Sequence, residues 1–145
     1  MSSIWHVRPT VEIMQETHEN TMVAHLGIAF TEIGDDFVAG RMPADNRTSQ
    51  PMGIVHGGAS VVLAETLGSA AANWVVDRDL YRALGQEVNA NHLRPAKSGW
   101  VTGVARPIHL GRRSQVWGIE LTDDNGKLTC ISRLTMAVVE LATLR

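Results

Sequence analysis

The chain is short of cysteine and of long apolar runs, and each shortage excludes something. A single cysteine, Cys130, in 145 residues rules out an internal disulfide framework and fits a reducing compartment. It lies in the apolar stretch Leu128 to Val139, where a buried structural thiol is expected rather than a nucleophile. No stretch reaches the roughly 20 apolar residues that span a bilayer. The most apolar segment, Val55 to Val76, is interrupted by glycines, serines and Glu65, so it reads as a core helix and no membrane partner is expected. Residues 1–20 carry Arg8, Glu12, Glu16 and Glu19 and lack the apolar centre of a secretion signal, which makes the cytoplasm the expected location. Neither sign of charge dominates: the net charge is -2, which argues against nucleic acid as a partner. The six histidines show no HExxH spacing and no Cys/His cluster, so no metal site is expected. The G-x-S-x-G elbow of serine hydrolases is missing, as are a P-loop and a G-x-G-x-x-G dinucleotide fingerprint, and no cofactor is expected.

What is present is a chain of one-domain size, 44% hydrophobic, with no internal repeat and no linker, read as a single domain over residues 1–145. Thr10 to Thr17 reads as a short amphipathic helix with Thr10 as its N-cap. Asn20 to Gly27 reads as a turn region. Ile28 to Phe30 and Phe37 to Met42 read as two strands about a Gly34-Asp35-Asp36 turn, and Pro43 to Pro51 as a polar loop. A long helix is expected from Gly57 to about Val76. Four strands then follow: Ala83 to Leu93, Trp100 to Leu110, Ser114 to Thr122 and Lys127 to Glu140. The last turn contains Asn125-Gly126, a strong hairpin signal. The three final strands, joined by short turns, should form an antiparallel meander. The expected class is α+β: one long, central, apolar helix wrapped by a curved antiparallel sheet of five to six strands.

One stretch stands out, Gln50 to Ser69, QPMGIVHGGASVVLAETLGS. A histidine and a glycine pair open the helix, and Glu65 is its only ionisable side chain between Gly57 and Trp74. A helix apolar nearly all round is usually buried. A lone carboxylate among Val61, Val62, Leu63, Ala64 and Leu67 should therefore be paired, protonated or functional.

The element order and this stretch resemble the hotdog fold, over roughly Asn20 to Val139. Gln50-Pro51-Met52-Gly53-Ile54-Val55-His56-Gly57-Gly58, followed by Glu65 and Ser69, is similar to the acyl-CoA thioesterases of the hydroxybenzoyl-CoA and phenylacetate-pathway type. Within that family the resemblance is to the group containing 1,4-dihydroxy-2-naphthoyl-CoA hydrolase and the proofreading thioesterase of enterobactin synthesis. Asn20 to Gly27, Leu67-Gly68-Ser69, Glu87-Val88-Asn89-Ala90, Arg94-Pro95 and His109-Leu110-Gly111-Arg112 extend the match. Where the family carries a second histidine before its Arg-Pro, this chain has Leu93. The resemblance implies hydrolysis of an aromatic or medium-chain acyl thioester, carried on CoA or on the phosphopantetheine of an acyl carrier protein. It also implies a homodimer, and a homotetramer as a dimer of dimers.

Thioester hydrolysis needs a polarised carbonyl, a carboxylate that attacks or activates water, and a grip on the leaving group. Amides at a helix start lack intrahelical partners and sit at the positive end of the dipole. Gly57 and Gly58 have no side chains to keep a carbonyl oxygen away from them, which suits an oxyanion hole; a tight loop-to-helix entry is their alternative role. Glu65 lies eight residues beyond Gly57, roughly 12 Å along the axis. One carbonyl cannot meet both on the same helix, so if both serve one reaction they come from two chains of a two-fold dimer.

Glu65 would be nucleophile or general base. Gln50 could orient water or the carboxylate, or be a polar loop residue. Ser69, one turn past Glu65, could hold either group or back-bond to the carbonyl of residue 65. His56 could donate to the thioester oxygen or order the loop. Arg94, Arg112 and Arg113, with His92, His109 and Gly111 nearby in sequence, are the candidates for gripping the phosphates of CoA. Met22, Met52 and Trp74 are candidate acyl-pocket residues, although core packing is their commoner role. Two other classes remain open. A non-catalytic acyl-CoA-binding hotdog module would not need Glu65. A hydratase would pair an Asp and a His near the helix start, where Asp45 lies 11 residues before His56.

Overall fold

A computed structural model of the chain describes residues 2–145. Its elements follow the order read from the sequence: α1 (Val11–Glu16), α2 (Met22–His25), β1 (Ala29–Ile33), β2 (Val38–Pro43), α3 (Gly57–Val75), β3 (Tyr81–His92), β4 (Trp100–Leu110), β5 (Ser114–Thr122) and β6 (Leu128–Glu140), with a terminal 3-10 turn at Leu141–Leu144. Thr10 caps α1 as expected, its hydroxyl accepting from the Ile13 amide at 3.1 Å. Asn20 to Gly27, read as a turn, contains the one-turn helix α2, capped by the Thr21 hydroxyl accepting from the Val23 amide. Four residues are too few for helical periodicity to register, and only the cap residue could have signalled it.

The six strands form one antiparallel sheet in the order β1-β2-β4-β5-β6-β3. Strands β4, β5 and β6 are the expected meander, and the Asp123 to Gly126 turn closes as a hairpin with Gly126 at a φ of 75°. Strand β3 does not pair with its sequence neighbour β4. It crosses to the far side of β6, with Tyr81 opposite Glu140 and His92 opposite Cys130. A 12-residue strand is thereby left at the sheet edge with one row of backbone groups unpaired.

Helix α3 lies against the inner face of the sheet. Leu63, Ala64, Leu67, Gly68 and Ala71 are buried there against Val38, Met42, Val101, Ala105, Trp117, Ile119, Leu121, Leu134 and Met136. Two paired glycines set how close the helix comes: Gly40 of β2 faces Gly103 of β4 in register, and both support the Leu67 side chain. A Cβ at Gly40 would stand 2.7 Å from Leu67 Cδ2 and 2.8 Å from the Ala29 carbonyl oxygen. The second of these is backbone and cannot step aside. Gly40→Ala is therefore expected to destabilise the protein by about 1–3 kcal/mol, read as a lower midpoint in urea unfolding at unchanged m-value. Cys130 is buried in the core as expected, and burial pushes its thiol up from its ordinary pKa. No helix is long and apolar enough to cross a membrane among the described residues.

Candidate active site

The loop from Asp45 to His56 is held by hydrogen bonds within itself, to Pro43 at the end of β2, and to the Ala96 carbonyl, which accepts from the Val55 amide at 2.8 Å. The Thr48 hydroxyl donates to the Pro43 carbonyl at 2.6 Å, and the His56 amide donates to the Thr48 carbonyl at 2.8 Å. Ser49 and Val55 form a lone bridge. Gly53, at a φ of 78°, closes the tip with its amide donating to the Gln50 carbonyl at 2.9 Å. Asp45 is committed to Arg47, whose guanidinium donates to it at 2.7 Å and holds its carboxyl below the usual carboxylate range. A group depressed in this way contributes to stability above its unfolded pKa and loses that contribution as pH falls through the folded value. Asp45 therefore faces Arg47 and not His56, and the Asp/His pair that a hydratase would need is not assembled.

The helix start is built by His56. Its backbone is extended, at φ -63° and ψ 132°, and its Nδ1 accepts a hydrogen bond from the Gly58 amide at 2.8 Å. An imidazole nitrogen that accepts carries no proton, so the neutral ring holds its proton on Nε2. The cap corrects the expectation for Gly58, whose amide is occupied by the imidazole and is not free for a substrate. The Gly57 amide has no partner among the described residues. It opens on a cleft of about 400 Å³ lined by Gln50, Gly57, Ser60, His92, Arg94 and Thr129. His92 lies directly across it, since a Cβ at Gly57 would stand 3.0 Å from His92 Nε2. The Gln50 side-chain oxygen accepts from the Met52 amide, which turns its NH₂ group outward as the free end. Arg94 Nη1 donates to the Leu128 carbonyl at 3.0 Å, which fixes this exposed side chain beside the cleft.

Glu65 lies elsewhere. It lines a second cleft of about 240 Å³ with Val62, Thr66 and Ser69 of α3 and with His18, Met22 and Val23 from the α1–α2 region. A helix apolar all round predicts a buried Glu65; the structure leaves it half-buried. Only one face of α3 is covered by the sheet, and the uncovered one carries Val62, then Glu65 and Thr66 three and four residues on, then Ser69 four and three residues beyond these. The carboxylate rests on Gly85, where a Cβ would stand 2.7 Å from Glu65 Oε1. A bulge between Gly85 and Glu87 breaks the β3–β6 register at this point, so the edge strand bends where the acid meets it. Glu65 has no ion-pair or hydrogen-bond partner among the described residues, and the Ser69 hydroxyl makes no back-bond to the carbonyl of residue 65.

The candidates thus form three groups in one chain. Gln50, His56, Gly57, His92 and Arg94 gather at the start of α3, and Glu65 and Ser69 two turns along it. His109, Gly111 and Arg112 lie by the β4–β5 turn, where the Arg113 carbonyl accepts from the Val138 amide. That turn is level with Leu84 of β3, about 25 Å along the strand from His92. One subunit does not bring His109, Gly111 or Arg112 to its own Gly57. Of the proposed acyl-pocket residues, Met22 lines the Glu65 cleft. Trp74 belongs to a separate pocket with His6 and Arg78, and Met52 is exposed on the loop tip. His18 and Thr66 are cleft residues that the sequence does not mark, because nothing local links the α1–α2 turn to α3. No group of three or more His, Cys, Asp or Glu side chains suited to a metal is assembled among the described residues.

Comparison with known proteins identifies the family. Residues 52–130 match the family model described as the thioesterase superfamily. The chain is 48% identical to the 1,4-dihydroxy-2-naphthoyl-CoA hydrolase of Escherichia coli, covering 94% of this chain and 99% of that protein. It is 47% identical to the proofreading thioesterase EntH of Cronobacter sakazakii, covering 94% of this chain and 98% of that one. Its structure superposes on that of a mutant thioesterase from Pseudomonas aeruginosa with a TM-score of 0.95 at 52% identity, over 96% of this chain and 100% of the other. With its six-stranded antiparallel sheet around one long helix, the chain belongs to the thioesterase superfamily, as a thioester hydrolase of the hotdog fold.

Proposed function

We propose that this protein hydrolyses an aromatic or medium-chain acyl-CoA thioester at a site completed by two subunits, with Glu65 from one and the Gly57 amide from the other. One observation carries this reading: the free Gly57 amide and the unpartnered Glu65 carboxylate line different clefts of one chain. The exposed edge of β3 supplies the means of joining them. Two copies paired antiparallel along β3 would set their α3 helices side by side in opposite directions. Gly57 sits beside His92 and Glu65 on Gly85, so a two-fold axis midway between His92 and Gly85 would bring each Gly57 level with the other's Glu65. The bend at Gly85 lies on this edge, against the carboxylate.

In the general-base form, Glu65 takes a proton from water as the water oxygen attacks the thioester carbon. The partner's Gly57 amide donates to the developing oxyanion. Collapse of the tetrahedral adduct breaks the carbon–sulfur bond, and the proton on Glu65 passes to the departing thiolate. In the nucleophilic form, Glu65 attacks the carbonyl itself, the carbon–sulfur bond breaks as the thiolate leaves, and water then cleaves the mixed anhydride, giving up a proton to the thiolate and freeing Glu65. Both forms leave free acid and thiol. Gln50 and Ser69 orient the water or the carboxylate, while the Nε2–H of His56 is available to the substrate oxygen. His92 and Arg94 hold the substrate beside Gly57, and His109, Gly111 and Arg112 reach the CoA phosphates from the other subunit's turn. The carrier is CoA or an acyl carrier protein. The family resemblance suggests that two such dimers form a tetramer of single-domain chains in the cytoplasm.

Purified protein assayed with a thiol-detecting reagent against benzoyl-, hydroxybenzoyl-, dihydroxynaphthoyl- and medium-chain acyl-CoA, and against acylated carrier protein, tests the reading. Thiol release from at least one aromatic or medium-chain substrate is expected. Binding of these thioesters without release would favour a non-catalytic module and overturn the proposal.

A further inference from the structure

We infer that His18 is a specificity-determining residue, whose Nε2 accepts a hydrogen bond from a donor group on the acyl part of the substrate. This rests on the reading of the Glu65 cleft as the acyl end of the site. The cleft has two walls of different character. The α3 wall carries Glu65, Thr66 and Ser69, which the reaction itself occupies. The facing wall carries Met22, Val23 and His18, so the imidazole is its one polar side chain.

The surroundings of His18 fix its orientation and the tautomer of its neutral ring. Its Nδ1 lies 2.8 Å from the Met14 carbonyl oxygen. A carbonyl only accepts, so Nδ1 carries the ring proton and the neutral ring has its lone pair on Nε2. The Thr17 hydroxyl donates to the same carbonyl at 2.8 Å, and the ring packs on Phe30 with centroids 4.9 Å apart. The turn that follows is locked by Asn20 in the left-handed region, at a φ of 58°, and by the Thr21 hydroxyl donating to the His18 carbonyl at 2.5 Å. Nε2 has no hydrogen-bond partner among the described residues, which leaves it as the polar atom this ring offers to the cleft. An acceptor clamped on two sides and set in an otherwise apolar wall selects a hydroxyl on the acyl group remote from the thioester. An acyl group without that hydroxyl leaves the acceptor desolvated and unpaired, which is how a site of this kind discriminates.

The test compares kcat/KM for the three ring isomers of hydroxybenzoyl-CoA with that for benzoyl-CoA, in the native protein and in His18→Phe and His18→Gln. The native protein is expected to prefer one hydroxylated isomer. His18→Phe keeps a flat ring but has no acceptor, and the preference ratio should fall by about tenfold. His18→Gln restores an acceptor oxygen near the place of Nε2 and should recover part of the ratio. Thermal unfolding of each variant shows whether it is folded, and a ratio is unaffected by the fraction of folded enzyme. A native ratio near one, or a His18→Phe ratio within twofold of the native value, would overturn the inference while leaving the thioesterase reading intact. Absence of thiol release from every thioester in the native protein would overturn that reading, and this inference with it.

Discussion

Glu65→Gln is expected to lower kcat by about 10²–10⁴-fold, the range over which a positioned base or nucleophile acts. The amide has nearly the shape of the carboxylate, so the cleft against Gly85 is preserved. What is removed is the charge that takes the proton of water or attacks the carbonyl. Stability should change little, within about 0.5 kcal/mol, because Glu65 is half-buried and has no ion pair to break within the chain. KM should change far less than kcat, since the proposed grip on CoA lies elsewhere. Steady-state thiol release together with calorimetric binding of a substrate separates the two effects. Turnover within tenfold of the native rate would remove Glu65 from the reaction. Loss of binding in parallel with turnover would make it a binding residue instead.

Gly57→Pro should lower kcat by about 10²–10³-fold, the loss that follows removal of one oxyanion donor. Proline suits this position better than any other residue for the purpose. It deletes the N–H without breaking α3, because the first helical residue has no intrahelical bond to lose and its φ already suits the ring. The preceding His56 is extended at ψ 132°, as a residue before proline must be. The ring would press on His92, an exposed side chain with room to move. Circular dichroism should show α3 retained. The same variant tests the shared site. Each inactive homodimer, Glu65→Gln or Gly57→Pro, lacks one half of both sites. Co-refolded in equal amounts, half the dimers pair one chain of each kind, and each of these has one intact site. Activity should return to about a quarter of the native level. If Gly57 and Glu65 of one chain served the same substrate, no mixture would recover activity.

Much of the fold is legible along the chain because it is written in local chemistry. Asn125-Gly126 and the Gly111-Arg112-Arg113 turn delimit the meander, and β4 and β5 run over the residues that alternation predicts. The apolar run from Gly57 to Val75 is too long for a strand, and the His56-Gly57-Gly58 entry marks where it starts. Other features had no local signature. The position of β3 beyond β6, and hence the exposed edge, depends on pairing between residues some 40–60 positions apart. The half-exposure of Glu65 depends on how much of α3 a six-stranded sheet can cover, which helical periodicity alone overstated. His18 was invisible as a site residue because its proximity to Glu65 arises only when the α1–α2 turn packs beside α3.

The sequence by itself determined the class of protein, the long helix with its glycine entry and single acid, and the separation of Gly57 from Glu65 along one axis. Each of these follows from composition, from motif order or from the fixed rise of an α-helix. Only the tertiary structure decided that Gly58's amide is spent on His56 while Gly57's is free, that the acid rests on the bent edge strand, and which side chains wall its cleft. Those outcomes depend on contacts between segments distant in the chain, and no periodicity or spacing within a segment encodes them.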